Sequence, residues 1–162
     1  MFSPAVLSFA KTLLDEARSR GLHIATAESC TGGLIVGALT AIAGSSDVVD
    51  RGFVTYSNQA KSELLGVAPE LIGEFGAVSE EVARAMAESA LEHSGAQLAV
   101  SCTGIAGPGG ATAGKPVGLV HIAAARQGQT TLHVECHFGD IGRDSVRMRS
   151  VEEALKLLLQ IL

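Results

Sequence analysis

The chain is poor in charge: Asp, Glu, Lys and Arg make up 18% of its 162 residues, below the ~25% of an average soluble domain. Apolar residues reach 47%. This excludes a disordered chain, which is apolar-poor and charge-rich. An excess of basic residues is also missing. Twelve Lys and Arg against 17 Asp and Glu leave a formal net charge of −5, the wrong sign for a surface that binds nucleic acid by displacing counterions. Cysteine is scarce: three, an odd number, widely spaced. No disulfide framework is read from them, and a reducing cytoplasm is the expected setting. No apolar run approaches the ~18 residues of a membrane span. The stretch from Met1 to Leu14 carries Lys11 and lacks the apolar core of a signal peptide or anchor. What is present is one domain's length of apolar-rich chain, read as a single domain over residues 1–162. Its mean hydropathy is +0.33. Helices on both faces of one sheet would bury that much apolar surface, as would an oligomer interface, and a homo-oligomer is expected.

Helix-like and strand-like segments alternate, the pattern of an α/β layered domain. Pro4 opens a helix to about Arg20 with Val6, Leu7, Ala10, Leu13, Leu14 and Ala17 at 3–4 spacing, ended by Gly21. Leu22 to Ala27 reads as a buried strand, and Ser29 as the start of a Gly- and Ala-rich helix reaching Gly44. Arg51 to Tyr56 reads as a strand, followed by a short helix capped by Ser57 and closed by Gly66. Ser79, followed by Glu80 and Glu81, is a helix start, and that helix runs to His93. Gln97 to Cys102 is a third strand, and Thr103 to Pro116 a glycine-rich loop. Val117 to Ala125 and Thr130 to Phe138 are joined too tightly to be anything but antiparallel. A last helix spans Arg143 to Leu159 with Val146, Val151, Ala154, Leu155 and Leu158 inward. The expected fold is a three-layer α/β/α sandwich with a mixed, mostly parallel sheet and a C-terminal antiparallel hairpin.

Three strand ends carry candidate chemistry. Ala27-Glu28-Ser29-Cys30-Thr31-Gly32-Gly33 follows a strand. A hydroxyl at a helix N-terminus can act as nucleophile while free amides hold an oxyanion. Equally, Ser29 can be a plain cap, the glycines plain packing and Cys30 a small buried residue. Tyr56-Ser57-Asn58-Gln59-Ala60-Lys61 contains the chain's one Tyr and lies at the same edge of a parallel sheet, where ligands gather. Taken alone, Lys61 reads as well on a solvent face. Thr103-Gly104-Ile105-Ala106-Gly107-Pro108-Gly109-Gly110 can wrap an anion with backbone N–H groups, or be an ordinary loop. It is no P-loop, because Pro116 follows Lys115 where Ser or Thr should hold magnesium. His133, Glu135 and His137 alternate on one strand face; an exposed polar face accounts for them better than zinc, and no metal is expected. Arg143 and Arg147 share a helix face near its N-terminus, where the dipole opposes them. Either an anionic ligand or pairing with Asp140, Asp144 or Glu152 resolves that conflict.

Together the Ala27–Gly33 motif, Gly52-Phe53-Val54-Thr55-Tyr56-Ser57-Asn58 with Lys61, and the Thr103–Gly110 motif resemble the CinA C-terminal domain family, the PncC-type nicotinamide-nucleotide amidases. Gly76-Ala77-Val78-Ser79 and Lys115-Pro116-Val117-Gly118 add to the likeness, which runs from about residue 5 to 160. The resemblance implies hydrolysis of the carboxamide of nicotinamide mononucleotide to nicotinate mononucleotide and ammonia, without cofactor or metal. It implies a Ser/Lys pair in Ser29 and Lys61, with Tyr56 as a further catalytic residue that orients Lys61 or relays the proton. Cys30, Thr31, Gly32, Gly33, Asn58, Thr103, Gly104, Gly107, Pro108, Gly109, Arg143 and Arg147 are the expected substrate-binding positions. Many members have Asp-Arg adjacent before the last helix; here Ile141-Gly142 separates Asp140 from Arg143. Larger members carry an N-terminal domain with pyrophosphatase activity, which is not carried over. The alternative function is a catalytically silent nucleotide-binding or competence-related interaction module.

Overall fold

The computed structural model describes residues 1–162. Helix α1 (Pro4–Ser19) begins where Ser3 Oγ accepts the Val6 N–H and Pro4 occupies the first turn. Val6, Ala10, Leu13, Leu14 and Ala17 form its buried stripe. Strand β1 (Ile24–Glu28) is buried throughout. The expected long helix from Ser29 to Gly44 is not formed. Helix α2 (Leu34–Thr40) is seven residues long, because Gly32 and Gly33 take φ of +60° and +96° and break the chain out of right-handed helix. Ser29 therefore sits in a turn between strand and helix, not at the cap itself.

Strand β2 (Val49–Val54) precedes helix α3 (Asn58–Leu65), which Ser57 caps and Gly66 closes as expected. Helix α4 (Pro69–Phe75) is additional to the expected elements. Helix α5 (Glu80–Glu92) is capped by Ser79. Strand β3 (Leu98–Gly104) runs two residues into the expected loop. Strands β4 (Leu119–Arg126) and β5 (Leu132–His137) form the hairpin, and helix α6 (Arg143–Gln160) ends the fold.

The sheet order is β2-β1-β3-β4-β5. β1 pairs parallel with β2 and β3, and β4 pairs antiparallel with β3 and β5. Only β4 runs against the other four strands, so the sheet is mixed and mostly parallel. Helices α1, α2 and α6 cover one face and α5 the other, giving three layers. The two faces differ in size of side chain. Leu98, Val100, Val120 and Ile122 point into the large core under α1 and α6. Ala25, Ala27 and Ala99 meet α5, and Ala123 and Ala125 meet its Ala83 and Ala87. Small residues on both sides let α5 lie close to the sheet. No helix is long and apolar enough to cross a membrane. At one edge, the ends of β1, β2 and β3 come together, and the candidate residues gather there.

Candidate active site

β1 ends in Glu28, whose side chain is fully buried. Its Oε2 accepts the Gly33 and Ile35 N–H groups, each at 3.0 Å. Its Oε1 accepts the Val36 N–H at 2.9 Å and the Thr26 hydroxyl at 3.1 Å. The carboxylate thus satisfies the orphan amides at the start of α2 from the preceding strand and folds the Ser29–Gly33 turn over itself. Ser29 N–H donates to the Cys102 carbonyl of β3 at 2.9 Å. Arg147, on α6, holds the same turn through Nε to the Cys30 carbonyl at 3.1 Å and an Nη to the Thr31 carbonyl at 3.2 Å. Neither the Cys30 nor the Thr31 amide has a protein acceptor.

Lys61 projects from α3 beneath this turn and is 1% exposed. Its Nζ donates to the Thr55 carbonyl at 2.9 Å and lies 3.1 Å from Ser29 Oγ. No carboxylate is bonded to it. Burial pushes its pKa below the usual lysine value, and negative charge at Cys30 only partly opposes this. The geometry is that of a hydroxyl beside an amine tuned toward neutrality, the arrangement of an activated nucleophile and its base.

Ser29 and Cys30 open onto a cleft of about 480 Å³, within the range of small-molecule sites. Tyr56 and Asn58 form one wall, and Gly104, Gly107 and Gly109 the other. Arg143, the first residue of α6, spans the mouth. It donates to the Gly107 carbonyl at 3.0 Å and to the Tyr56 hydroxyl at 2.9 Å. It is the one charged residue lining the cleft.

The other expected positions lie elsewhere. Thr103 donates its hydroxyl to the Ala77 carbonyl at 2.8 Å, and Thr31 is wholly buried. Gly32, Gly33, Pro108 and Arg147 do not line the cleft. Arg143 and Arg147, similar in sequence, therefore separate: one crosses the cleft mouth, the other braces the turn that carries Ser29. Neither pairs with Asp140, Asp144 or Glu152. Tyr56 is bonded to Arg143, whereas Lys61 is bonded to Ser29 and Thr55. Glu28 and the Thr55 carbonyl are site groups beyond the expected set. The only sequence sign of Glu28's role was a carboxylate just ahead of a glycine-rich helix start.

The β5 face also departs from expectation. Glu135 and His137 are exposed, but the His133 side chain is 9% exposed. His133 stacks on His121, with Nε2 2.9 Å from His121 Nδ1. Burial holds both imidazoles below the usual histidine value. No three His, Cys, Asp or Glu side chains are grouped so as to hold a metal ion.

The family model of the CinA C-terminal domain matches residues 7–162. CinA-like proteins of Chlorobium phaeovibrioides and Syntrophobacter fumaroxidans are 48% and 49% identical over 161 and 152 residues. These alignments cover 96% and 94% of this chain but 37% and 35% of the relatives, so the chain spans little over a third of their length. Among solved structures, the competence/damage inducible protein CihA from Agrobacterium tumefaciens has a TM-score of 0.98 at 52% identity, covering 99% of this chain and 98% of that one. A competence-damaged protein (CinA) superfamily protein from Escherichia coli has a TM-score of 0.92 at 34% identity, covering 100% and 94%. On this combined likeness of sequence and structure, the chain belongs to the CinA C-terminal domain family.

Proposed function

We propose that the cleft hydrolyses the carboxamide of nicotinamide mononucleotide, giving nicotinate mononucleotide and ammonia. The observation that carries this reading is the buried Lys61 amine, 3.1 Å from Ser29 Oγ at the cleft wall with no carboxylate bonded to it. A neutral lysine donates to the Thr55 carbonyl and keeps its lone pair for the Ser29 proton. Ser29 Oγ attacks the amide carbon as Lys61 takes that proton. The Cys30 amide, at the cleft wall and free of a protein acceptor, is the donor proposed for the oxyanion. Lys61 returns the proton to the leaving nitrogen, ammonia departs, and an ester to Ser29 remains. Water then attacks the ester with Lys61 as base, which releases the carboxylate and restores Ser29. The cationic pyridinium withdraws electrons from the amide carbon and eases the first attack. The 5′-phosphate is assigned to Arg143, whose fork already spans the mouth, and to the glycine-rich wall. Tyr56 serves by holding Arg143.

Ammonia release from nicotinamide mononucleotide by the purified protein tests the reading. Turnover supports it. Tight binding without turnover would overturn it in favour of a silent nucleotide-binding module.

A further inference from the structure

Cys30 and Cys102 are 72 residues apart in sequence, yet their sulfur atoms lie 3.7 Å from each other. The parallel pairing of β1 with β3 makes the contact: Glu28 stands opposite Cys102, and the chain turns back at Ser29 so that Cys30 faces the same side. The two residues differ in exposure. Cys30 lines the cleft and is 6% exposed, whereas Cys102 lies behind it with no exposure. The third cysteine, Cys136, is on β5 and has no thiol partner.

We propose that Cys30 and Cys102 are an oxidisable pair that a hydroperoxide entering the cleft converts to a disulfide, which disables the Ser29 turn. The disulfide itself stands on the thiol geometry; its effect on catalysis rests on the proposed amidase reading.

The Cys30 thiolate attacks the peroxide, the O–O bond breaks, and Cys30 becomes a sulfenic acid as hydroxide leaves. The Cys102 sulfur then attacks the Cys30 sulfur. The S–O bond breaks, and the hydroxide leaves as water with the Cys102 proton. Overall, two thiols lose two electrons and two protons, and hydrogen peroxide becomes two waters. The environment favours this order. The hydrogen bond from Cys102 and the charge of Arg147 draw the Cys30 thiol below its usual value, against burial. The hydrogen bond with Cys30, then burial and negative charge at Cys30, push Cys102 up. Converting Cys30 to a neutral sulfenic acid removes that charge and eases the second step. Cys136, pushed up by burial to about 11, is left as a thiol.

Closing the bond brings the sulfur atoms from 3.7 Å to ~2 Å. Both cysteines are tied to the nucleophile: Cys30 follows it directly, and the Cys102 carbonyl accepts the Ser29 N–H. The shift therefore displaces Ser29 from Lys61 and the Cys30 amide from the cleft.

The test treats the whole reduced protein with hydrogen peroxide, quenches with an alkylating agent under denaturing conditions, and maps the peptides by mass. The expected result is a Cys30–Cys102 linked peptide, one alkylatable thiol at Cys136, and the same linkage in Cys136→Ala. In Cys102→Ala, Cys30 is trapped as a sulfenic acid by a dimedone-type probe. Three free thiols after treatment, or Cys30 over-oxidised beside a free Cys102, would overturn the proposal. The second arm follows ammonia release, which falls about ten-fold or more on oxidation and returns with dithiothreitol. A linked but fully active protein would overturn the switch. A reduced protein without amidase activity that still forms the linkage would sink the amidase reading and leave the thiol pair standing.

Discussion

Lys61 is the largest side chain that the fold buries almost completely, and its cost to the fold is tied to the use proposed for it. Its pKa is lower folded than the ordinary value of 10.5 because burial disfavours the charged amine. The unfolded chain therefore binds more protons than the native one between these two values, and stability rises with pH across that window. The penalty is absent above 10.5, grows as pH falls toward the folded pKa, and is constant below it. Lys61→Met removes the titrating group and nearly preserves the volume. Melting curves are expected to place the variant above the parent by a margin that widens as pH falls through this window, while ammonia release is lost. A pH-independent margin would mean that Lys61 is not held toward neutrality. In the parent, kcat/KM is expected to rise with pH as Lys61 loses its proton. Ser29→Ala, by contrast, is expected to cost about a thousand-fold or more in kcat with nicotinamide mononucleotide still bound, measured by turnover and by calorimetric titration. Full activity in that variant would remove the serine mechanism and turn attention to Cys30.

Two side chains from different elements shape the Ser29 turn, Glu28 at the end of β1 and Arg147 on α6, and on α6 the arginine that braces the turn is distinct from Arg143 at the cleft mouth. Glu28 accepts four hydrogen bonds, three from amides at the start of α2 and one from the Thr26 hydroxyl of β1. Glu28→Gln places an NH₂ where a carboxylate oxygen accepted and orphans buried N–H groups, each worth about 1–3 kcal/mol. Urea unfolding is expected to show a loss of roughly 2–4 kcal/mol; an unchanged midpoint would deny Glu28 this role. On α6, Arg143→Ala is expected to lower kcat/KM for the mononucleotide about ten- to a hundred-fold and barely alter it for the riboside. Equal losses for both would assign Arg143 to the fold instead of the phosphate. Which parts of these elements could be read beforehand follows from their range along the chain. Ser57, Gly66 and Ser79 act within a turn of their own helices, and the α6 stripe repeats within one element, so local pattern was enough. Helix α4 was missed because it is one of the two shortest helices and carries Gly73 in its interior. Glu28 reaches amides five to eight residues on, across two glycines, and no helical period signals that. Arg147 meets the Cys30 carbonyl 117 positions away. The motif residues Ser29 and Lys61 were legible as types at one sheet edge, but their 3.1 Å approach depends on the pairing of β1 with β2 and β3.

The cleft as a whole is assembled from segments that meet only because the layers close, and one backbone crossing holds two of its walls together. Gly118 begins the passage into β4. Its N–H donates to the Ile105 carbonyl in the glycine-rich wall at 2.8 Å, and its own carbonyl accepts the Phe138 N–H at 2.9 Å. Phe138 and Gly139 then lead to Arg143 at the mouth. Gly118 thus ties the wall to the segment that delivers the arginine. Its φ is +87°, and a Cβ there would lie 2.3 Å from the Gly139 carbonyl oxygen and 2.4 Å from its nitrogen. All three near atoms are backbone of Gly139, so no flexible side-chain atom can yield. Gly118→Ala must therefore separate the two segments or unfold them. Gly114 offers the matched control: its φ is +82°, but nothing lies within 4 Å of its Cβ position. Gly114→Ala carries only the left-handed backbone penalty of roughly 1–2 kcal/mol. Gly118→Ala adds the steric clash and is expected to lose more than about 3 kcal/mol in urea unfolding. Where it still folds, the separation should loosen Arg143 before it touches Ser29 and Lys61. The KM for the mononucleotide should then rise more than kcat falls, with the riboside little affected. Equal destabilisation by the two alanines would mean that the crossing is not what binds the walls, and the burden would pass to the layers of helix on either side.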